Sequence, residues 1–188
     1  MPVTSILWRR LDQPGHDSAL LRDDASGAVI EGTAVFAESG RPCRLDYRIV
    51  CDSAWRTLSA SVHGWLDTTA VSIEIEADAD RGWTLNGQRH PDLQGAFDVD
   101  LSFTPATNLL PIRRSRLAIG AKAPVRAAWL RFPEMTLEPL DQIYERLSAT
   151  RYRYESGGGT FVRTLETNVA GLVTDYPGLW QAEAPRSD

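Results

Sequence analysis

Two aspartates, Asp98 and Asp100, stand two residues apart in the alternating segment 97–103. On a strand their side chains project from one face, with Cβ atoms about 7 Å apart. Carboxyl groups paired at comparable spacing perform acid–base chemistry in glycoside hydrolases. The same alternation produces the wet face of an ordinary strand, and Glu74 and Glu76 repeat it without functional context. We expect the solvent-facing role for the aspartates and keep a hydrolase acting on a glycoconjugate through this carboxylate pair as the alternative.

Two adjacent arginines, Arg113 and Arg114, follow the apolar run 109–112. The segment 113–119 is predicted as a strand, on which adjacent side chains point to opposite faces, so at least one guanidinium should face the core. A guanidinium there requires a carboxylate, backbone carbonyls or a bound anion as its partner. We favour a buried Arg–Asp pair that ties the preceding helical turn to the sheet over a bound anion. Asn108, in that turn, is expected to bond to backbone at the helix end.

Aromatic and arginine side chains cluster in the C-terminal third of the chain. The residues are Tyr144, Arg151, Tyr152, Arg153, Tyr154, Tyr176 and Trp180. Flat apolar faces with polar rims suit sugar rings, which stack on the faces while their hydroxyl groups bond to the rims. Tyr, Trp and Arg are also enriched at protein–protein interfaces. The cluster therefore predicts a sugar-bearing ligand, with a dimeric protein-interaction module as the alternative.

Linear signatures of common enzyme and cofactor sites are missing from the sequence. No Gly-x-Ser-x-Gly, His-Glu-x-x-His or phosphate-binding loop is present. The two cysteines, Cys43 and Cys51, have no histidine at metal-ligand spacing, so we interpret them as small core residues. We predict no metal, no cofactor and no catalytic residue, and a binding protein rather than an enzyme.

Length and charge set further limits. The chain has 188 residues, 43% of them hydrophobic, which suffices for a single domain over 1–188 with its own core. Its net charge of −5 argues against binding to duplex nucleic acid, which requires a cationic face. No apolar run is long enough for a transmembrane segment, and the start of the chain is charged too early for a signal peptide, so we expect a cytoplasmic protein.

Strands must position most of these side chains. Apolar and polar residues alternate in 44–52, 71–78 and 97–103, the period of a strand with one buried face. Asn86-Gly87 predicts a tight hairpin and the glycines at 157–159 a looser one. Further strands are predicted at 28–37, 55–63, 113–119, 125–132 and 160–166.

One short helix is expected among the strands. Thr104 and Pro105 predict its N-cap and first helical residue, and Pro111 predicts its end. The segment 140–148 fits helix or strand, and we favour strand because Tyr144 and the residues after it alternate. The pattern predicts a mainly β, antiparallel, single-domain fold.

Three segments resemble the bacterial glycolipid-binding family. They are Phe-Asp-Val-Asp-Leu at 97–101, Thr-Pro-Ala-Thr-Asn-Leu-Leu-Pro-Ile-Arg-Arg at 104–114 and Gly-Leu-Val-Thr-Asp-Tyr-Pro-Gly-Leu-Trp at 171–180. Trp83 with Asn86-Gly87, and Tyr152-Arg153-Tyr154, follow the family pattern in the same order, so the resemblance covers almost the whole chain. It implies a spiral β-roll, a many-stranded sheet wrapped around one short helix, which forms homodimers and binds a glycolipid or another amphiphile.

The resemblance supplies no catalytic residues, but it guides a hypothesis for a ligand site. An acyl chain would lie against the concave face of the sheet, while Arg113, Arg114 and Tyr152 receive a polar head group. The full set of hypothetical ligand-binding residues is Asn108, Arg113, Arg114, Tyr152, Tyr154, Tyr176 and Trp180.

Overall fold

A computed structural model describes residues 3–183, which form one large sheet and one α-helix, α1 Leu109–Ser115. Short 3₁₀ turns occur at Pro91–Leu93, Pro105–Asn108 and Gly157–Gly159. In this part of the chain, no helix is long and apolar enough to cross a membrane. The strands are β1 Val3–Arg10, β2 Gly15–Asp24, β3 Gly27–Glu38, β4 Arg41–Asp52, β5 Thr57–Leu66, β6 Thr69–Ala77, β7 Trp83–Leu85, β8 Gln88–His90, β9 Asp98–Leu101, β10 Lys122–Arg131, β11 Thr136–Arg146, β12 Arg151–Ser156, β13 Phe161–Thr167, β14 Val173–Tyr176 and β15 Trp180–Ala182.

The strands form two meanders that are joined where the two ends of the chain meet. The order across the sheet is β8-β7-β6-β5-β4-β3-β2-β1-β15-β14-β13-β12-β11-β10-β9. Within residues 3–183 every neighbouring pair is antiparallel except β9 and β10, which run parallel. The crossover from β9 to β10 contains α1.

The sheet curls until its β9 edge reaches strand β5 of the opposite half. The backbone N–H of Thr57 donates to the carbonyl of Phe97 at 2.9 Å, and the Thr57 hydroxyl accepts from the N–H of Val99 at 3.0 Å. These bonds hold the edge in place without closing the sheet into a barrel.

The inner face of the sheet forms the core. In β4, Cys43, Leu45, Tyr47, Ile49 and Cys51 are buried, and the residues between them are more exposed. The predicted alternation of this strand is therefore confirmed. Both cysteines are free thiols in the core, as predicted.

Helix α1 lies within the roll. Leu109, Leu110 and Ile112 are buried against the sheet. The Thr104 hydroxyl accepts a hydrogen bond from the Ala106 N–H at 3.1 Å, which is the predicted capping role. The predicted architecture, a many-stranded roll around one short helix, is confirmed.

The predicted strand at 113–119 and the predicted helix end at Pro111 are both wrong, because α1 continues to Ser115. Pro111 is within the first turn of α1, where the backbone N–H groups have no partner inside the helix, so a residue without an N–H is tolerated. The helix ends instead at Arg116, whose φ of 45° is left-handed.

Two local interpretations are confirmed. The segment 140–148 is strand as far as Arg146, in β11. Asn86 and Gly87 connect β7 to β8 with φ angles of 48° and 80°, both positive as a type I′ hairpin requires.

Candidate ligand-binding site

A buried ion pair joins α1 to strand β9. The Nε and Nη2 atoms of Arg114 donate to the carboxylate of Asp98 at 2.9 and 2.7 Å. Asp98 is 1% exposed. Burial raises the pKa of this carboxyl group, and the hydrogen bonds from Arg114 oppose the rise. The Arg–Asp pair that we favoured from the sequence is confirmed, with Arg114 as its arginine.

The expectation that Asp98 lies on a wet face is wrong. Strand β9 is covered on both sides, because Val99 and Leu101 on its other face are also buried. Alternation therefore does not separate a solvent face from a core face in this strand. Asp98 remains in the interior because Arg114 supplies the opposite charge and fixed hydrogen bonds.

The second carboxyl group is held by an amide that sequence reasoning missed. Gln142 of β11 donates from Nε2 to Asp100 at 2.7 Å and to the Tyr154 hydroxyl at 3.1 Å. Burial raises the pKa of Asp100 to about 6; the hydrogen bond from Gln142 lowers it, and the nearby Asp98 charge adds to the rise. A polar residue at a core-facing position of β11 is the signal that could have identified Gln142.

An open cleft lies beside these two groups, and we call it the Arg114 cleft. It has a volume of about 680 Å³, within the range of small-molecule sites. The Arg114 guanidinium lies 5.2 Å from the centre of the Phe97 ring. The apolar residues that line it are Phe97, Pro124, Val125 and Ile143, and Gly95, Gly158 and Gly159 also line it.

The floor of the cleft presents one donor and one acceptor. Arg114 uses Nε and Nη2 for Asp98, and among the described residues its Nη1 makes no hydrogen bond. The side-chain oxygen of Gln142 likewise accepts no hydrogen bond from residues 3–183. Both residues line the cleft, so the cleft offers ligand hydroxyl groups one donor and one acceptor.

The charges around the cleft are balanced. Arg126 lies 3.8 Å from Asp141 at the rim, and Glu155 pairs with Arg153. Asp98 and Asp100 are not part of the cleft wall, and their oxygens are engaged by Arg114 and Gln142. A ligand therefore meets the amide of Gln142, apolar groups and a balanced set of charges, those of Arg114, Arg126, Asp141 and Glu155. This lining suits recognition of a neutral polar group better than bond cleavage by Asp98 and Asp100.

Most of the predicted aromatic residues lie beneath the site. Tyr154 packs edge-to-face on Tyr144 at 5.1 Å and on Tyr176 at 6.2 Å between ring centres. Asn108 donates from Nδ2 to the Tyr144 hydroxyl at 2.8 Å, so its expected bond to backbone is corrected to a bond between side chains. Trp180 is buried below the guanidinium of Arg10.

The structure places the other predicted residues at a different cleft. Arg113 and Tyr152 line a separate hollow of about 380 Å³ together with Trp55. Arg113 pairs with Asp23 at 2.7 Å and lies 4.5 Å above the Trp55 ring. Of the seven residues in the ligand-site hypothesis, Arg114 lines the Arg114 cleft, and Arg113 and Tyr152 line the separate hollow. The other four are buried in the core: Asn108, Tyr154, Tyr176 and Trp180.

No metal-binding cluster is formed by His, Cys, Asp and Glu side chains in the described part of the chain. The polar groups of the site are the Arg114–Asp98 ion pair and the amide of Gln142, which lie beside apolar lining residues.

The crystal structure of a DUF1089 family protein from Pseudomonas aeruginosa is similar to this chain, with 34% sequence identity and a TM-score of 0.78 over 88% of this chain and 91% of the other. No curated protein matches the chain. The family model described as "Putative glycolipid-binding" matches residues 5–182, and the chain belongs to that family.

Proposed function

We propose that this protein binds a glycolipid, or an amphiphile of similar shape, without catalysing a reaction. The sugar head group lies on the floor of the Arg114 cleft and the acyl part lies along its apolar wall. The observation that carries the proposal is an open cleft of about 680 Å³ that is lined by Arg114 and Gln142 together with the apolar residues Phe97, Pro124, Val125 and Ile143. The family description supports the class of ligand.

A neutral head group fits the charges better than an anionic one. Arg114 already shares its charge with Asp98, and the rim carries Asp141 and Glu155 as well as Arg126. An anionic head group would meet these carboxylates at short range, whereas hydroxyl groups can bond to donors and acceptors alike.

Octyl glucoside, used below its micelle concentration, is a suitable probe. We expect it to raise the melting temperature of the protein and to form a one-to-one complex in native mass spectrometry, whereas glucose alone has little effect.

Ile143→Asn places an amide on the apolar wall and should weaken binding about tenfold, because a buried aliphatic side chain contributes about 1.5 to 3 kcal/mol. Val35→Asn, at an exposed aliphatic residue outside the cleft, is the matched control and should bind as the parent does.

The same experiment distinguishes binding from catalysis. Intact octyl glucoside in the complex supports the proposal. Release of octanol that Asp100→Asn abolishes would favour the hydrolase alternative. Equal affinity of the Ile143→Asn and Val35→Asn variants, or no complex with any alkyl glycoside, would exclude this cleft as the site.

We also propose that the protein forms a homodimer. Strand β8 is the outermost strand at one end of the sheet in residues 3–183, and the backbone groups of such an edge are a template for pairing with a second chain. Light scattering at micromolar concentration should give twice the mass of one chain. A mass of one chain would contradict the proposal.

A further inference from the structure

Three loops meet at one end of the roll, and we call them the loop end: 116–121, 147–150 and 168–171. The Gly120 N–H donates to the carbonyl of Arg146 at 2.7 Å, which joins the first loop to the end of β11, directly before the second loop. The Thr167 N–H donates to the carbonyl of Thr150 at 2.8 Å, which joins the second loop to the end of β13, directly before the third loop. The loops therefore form a single surface.

Each loop presents an aliphatic side chain to solvent. Ile119 is 64% exposed, Leu147 is 40% exposed and Val169 is 94% exposed. Single exposed aliphatic residues are ordinary on protein surfaces, but a group of them on adjoining loops marks an interaction site.

The hollow between these loops is cationic, although the whole chain carries a net charge of −5. Arg113, Arg116 and Arg146 line it, and no acidic residue does. The Arg146 guanidinium donates to the backbone carbonyls of Leu117, Ser148 and Ala149 at 2.9, 3.1 and 3.1 Å, so it is fixed in position without a carboxylate partner.

The other charged groups at this end do not cancel that charge. Arg116 is exposed and forms no ion pair within residues 3–183. Arg113 is neutralised by Asp23, and Arg151 pairs with Glu166 at 3.6 Å. Two guanidinium groups, those of Arg116 and Arg146, are left without an opposite charge among these pairs.

We propose that the loop end docks on the surface of an anionic lipid bilayer. Ile119, Leu147 and Val169 enter the interfacial region, while Arg116 and Arg146 contact lipid phosphates. Interfacial binding requires exposed aliphatic groups beside cationic ones, and this surface has both. A soluble phosphate compound would be served by the arginines alone and would leave the aliphatic side chains without a role.

This docking surface lies on residues outside the Arg114 cleft, so the two proposals stand or fall separately.

A fluorophore on the third loop tests the proposal. Val169→Cys places a reactive thiol at the most exposed of the three positions. The native thiols of Cys43 and Cys51 are buried, and burial raises their pKa values to about 11 and about 12, so an environment-sensitive label attaches at the introduced thiol. We expect a blue shift with vesicles of mixed phosphatidylglycerol and phosphatidylcholine, and none with phosphatidylcholine alone. Labelled Val35→Cys, on the outer face of β3, should not respond.

Charge reversal supplies the second measurement. Arg116→Glu should weaken vesicle binding about tenfold or more, since each arginine near an anionic surface contributes about 1 kcal/mol. Arg41→Glu is the matched control, because Arg41 is also exposed and lies on the hairpin between β3 and β4. High salt should abolish binding of the parent chain, since screening shortens the electrostatic range.

Three results would overturn the proposal. They are an unshifted label at Val169 with anionic vesicles, equal loss of vesicle binding in the Arg116→Glu and Arg41→Glu variants, and binding of inorganic phosphate at the arginines without any vesicle binding. The last result would identify a site for small anions.

Discussion

At the scale of single residues, the interior of the roll holds carboxyl groups with different partners. Asp98 has the guanidinium of Arg114, whereas Asp17 of β2 has only hydroxyl groups. The hydroxyls of Tyr47 and Thr104 donate to Asp17, which is fully buried. Without a cationic partner, burial raises the pKa of Asp17 to about 7, and the two hydrogen bonds oppose the rise. The protonation of Asp17 is therefore coupled to folding.

Asp17 should make stability depend on pH. Its pKa is higher in the folded chain than its ordinary value of 3.8, so the folded state binds the proton more tightly. The stabilisation is complete below about pH 4 and is lost as the pH rises through 7, by up to about 4 kcal/mol. We expect the free energy of unfolding, measured with urea, to fall between pH 5 and pH 8 in the parent chain.

Asp17→Asn provides the comparison, because an amide of the same shape does not titrate. It should remove most of the decline and leave the smaller part due to Asp100, whose pKa burial raises to about 6. Asp46→Asn, at an outward-facing carboxyl group on β4, should retain the parent slope. An identical slope in the parent and in Asp17→Asn would show that Asp17 is not the group responsible.

The Asp98–Arg114 pair should contribute much more to stability than a surface pair. Asp98→Asn leaves a partly buried guanidinium without its counter-charge, and we expect a loss of about 2 to 4 kcal/mol in the free energy of unfolding. Asp46→Asn breaks the exposed pair with Arg44 and should cost less than about 1 kcal/mol. Equal losses would mean that the buried pair does not fasten α1 to the sheet.

The types of the residues allowed us to predict the Arg–Asp pair, but not the buried polar groups whose partners lie on distant strands. A guanidinium near an apolar run requires a counter-charge, which is why the Arg–Asp pair could be predicted. Gln142 and Asp17 were missed because a polar residue at a core position becomes meaningful only when its neighbours from distant strands are known. Those neighbours depend on the curl of the sheet, which no local pattern specifies.

At the scale of elements, alternation succeeded where a strand has one covered face. Strand β4 is the clearest case, with a buried residue at every second position. It failed for β9, which is covered on both faces, and it gave no signal for β7, β8 and β15, which are three residues long and too short to show a period. The predicted helix is shorter than α1, because Pro111 is a typical signal for a helix end but here lies in the first turn.

Two glycines with similar backbones can test how closely the sheet wraps the helix. Gly171 and Gly178 have φ angles of 93° and 79°, so an alanine at either position is strained by about 1 to 2 kcal/mol. A Cβ at Gly171 would also lie 2.9 Å from Cδ1 of Leu109 in α1, whereas one at Gly178 would meet nothing within 4 Å.

Gly171→Ala should therefore be the more damaging change. We expect it to reduce the free energy of unfolding by about 1 to 3 kcal/mol more than Gly178→Ala does, because the helix must move or the core must be overpacked. Chemical denaturation of both variants measures the difference. Equal effects would show that α1 has room to shift inside the roll.

At the scale of the whole molecule, the two meanders are united by pairing between the ends of the chain. Trp8 in β1 lies opposite Ala182 in β15, and the Trp8 indole N–H donates to the carbonyl of Val173 at 2.5 Å. Strand signals along the chain predicted neither β1 nor β15, and only the family resemblance implied a continuous roll. Pairing between residues so far apart in sequence cannot be predicted from local propensity. The entropy cost of bringing the two strands together is offset only by contacts that form in the complete fold.

A chain ending at Leu179 should weaken this union, because it keeps the Trp8–Val173 hydrogen bond but loses the strand between β1 and β14. The deletion removes β15 with the buried Trp180, and it exposes the backbone edges of β1 and β14 in the middle of the sheet. We expect a broad thermal transition in place of a single cooperative one, with loss of hydrogen-exchange protection in β1 and β14. A chain ending at Glu183 retains every described residue and should melt as the parent does. If the shorter chain melted cooperatively within a few degrees of the longer one, each meander would be stable by itself, and the pairing of β1 with β15 would not be what unites the roll.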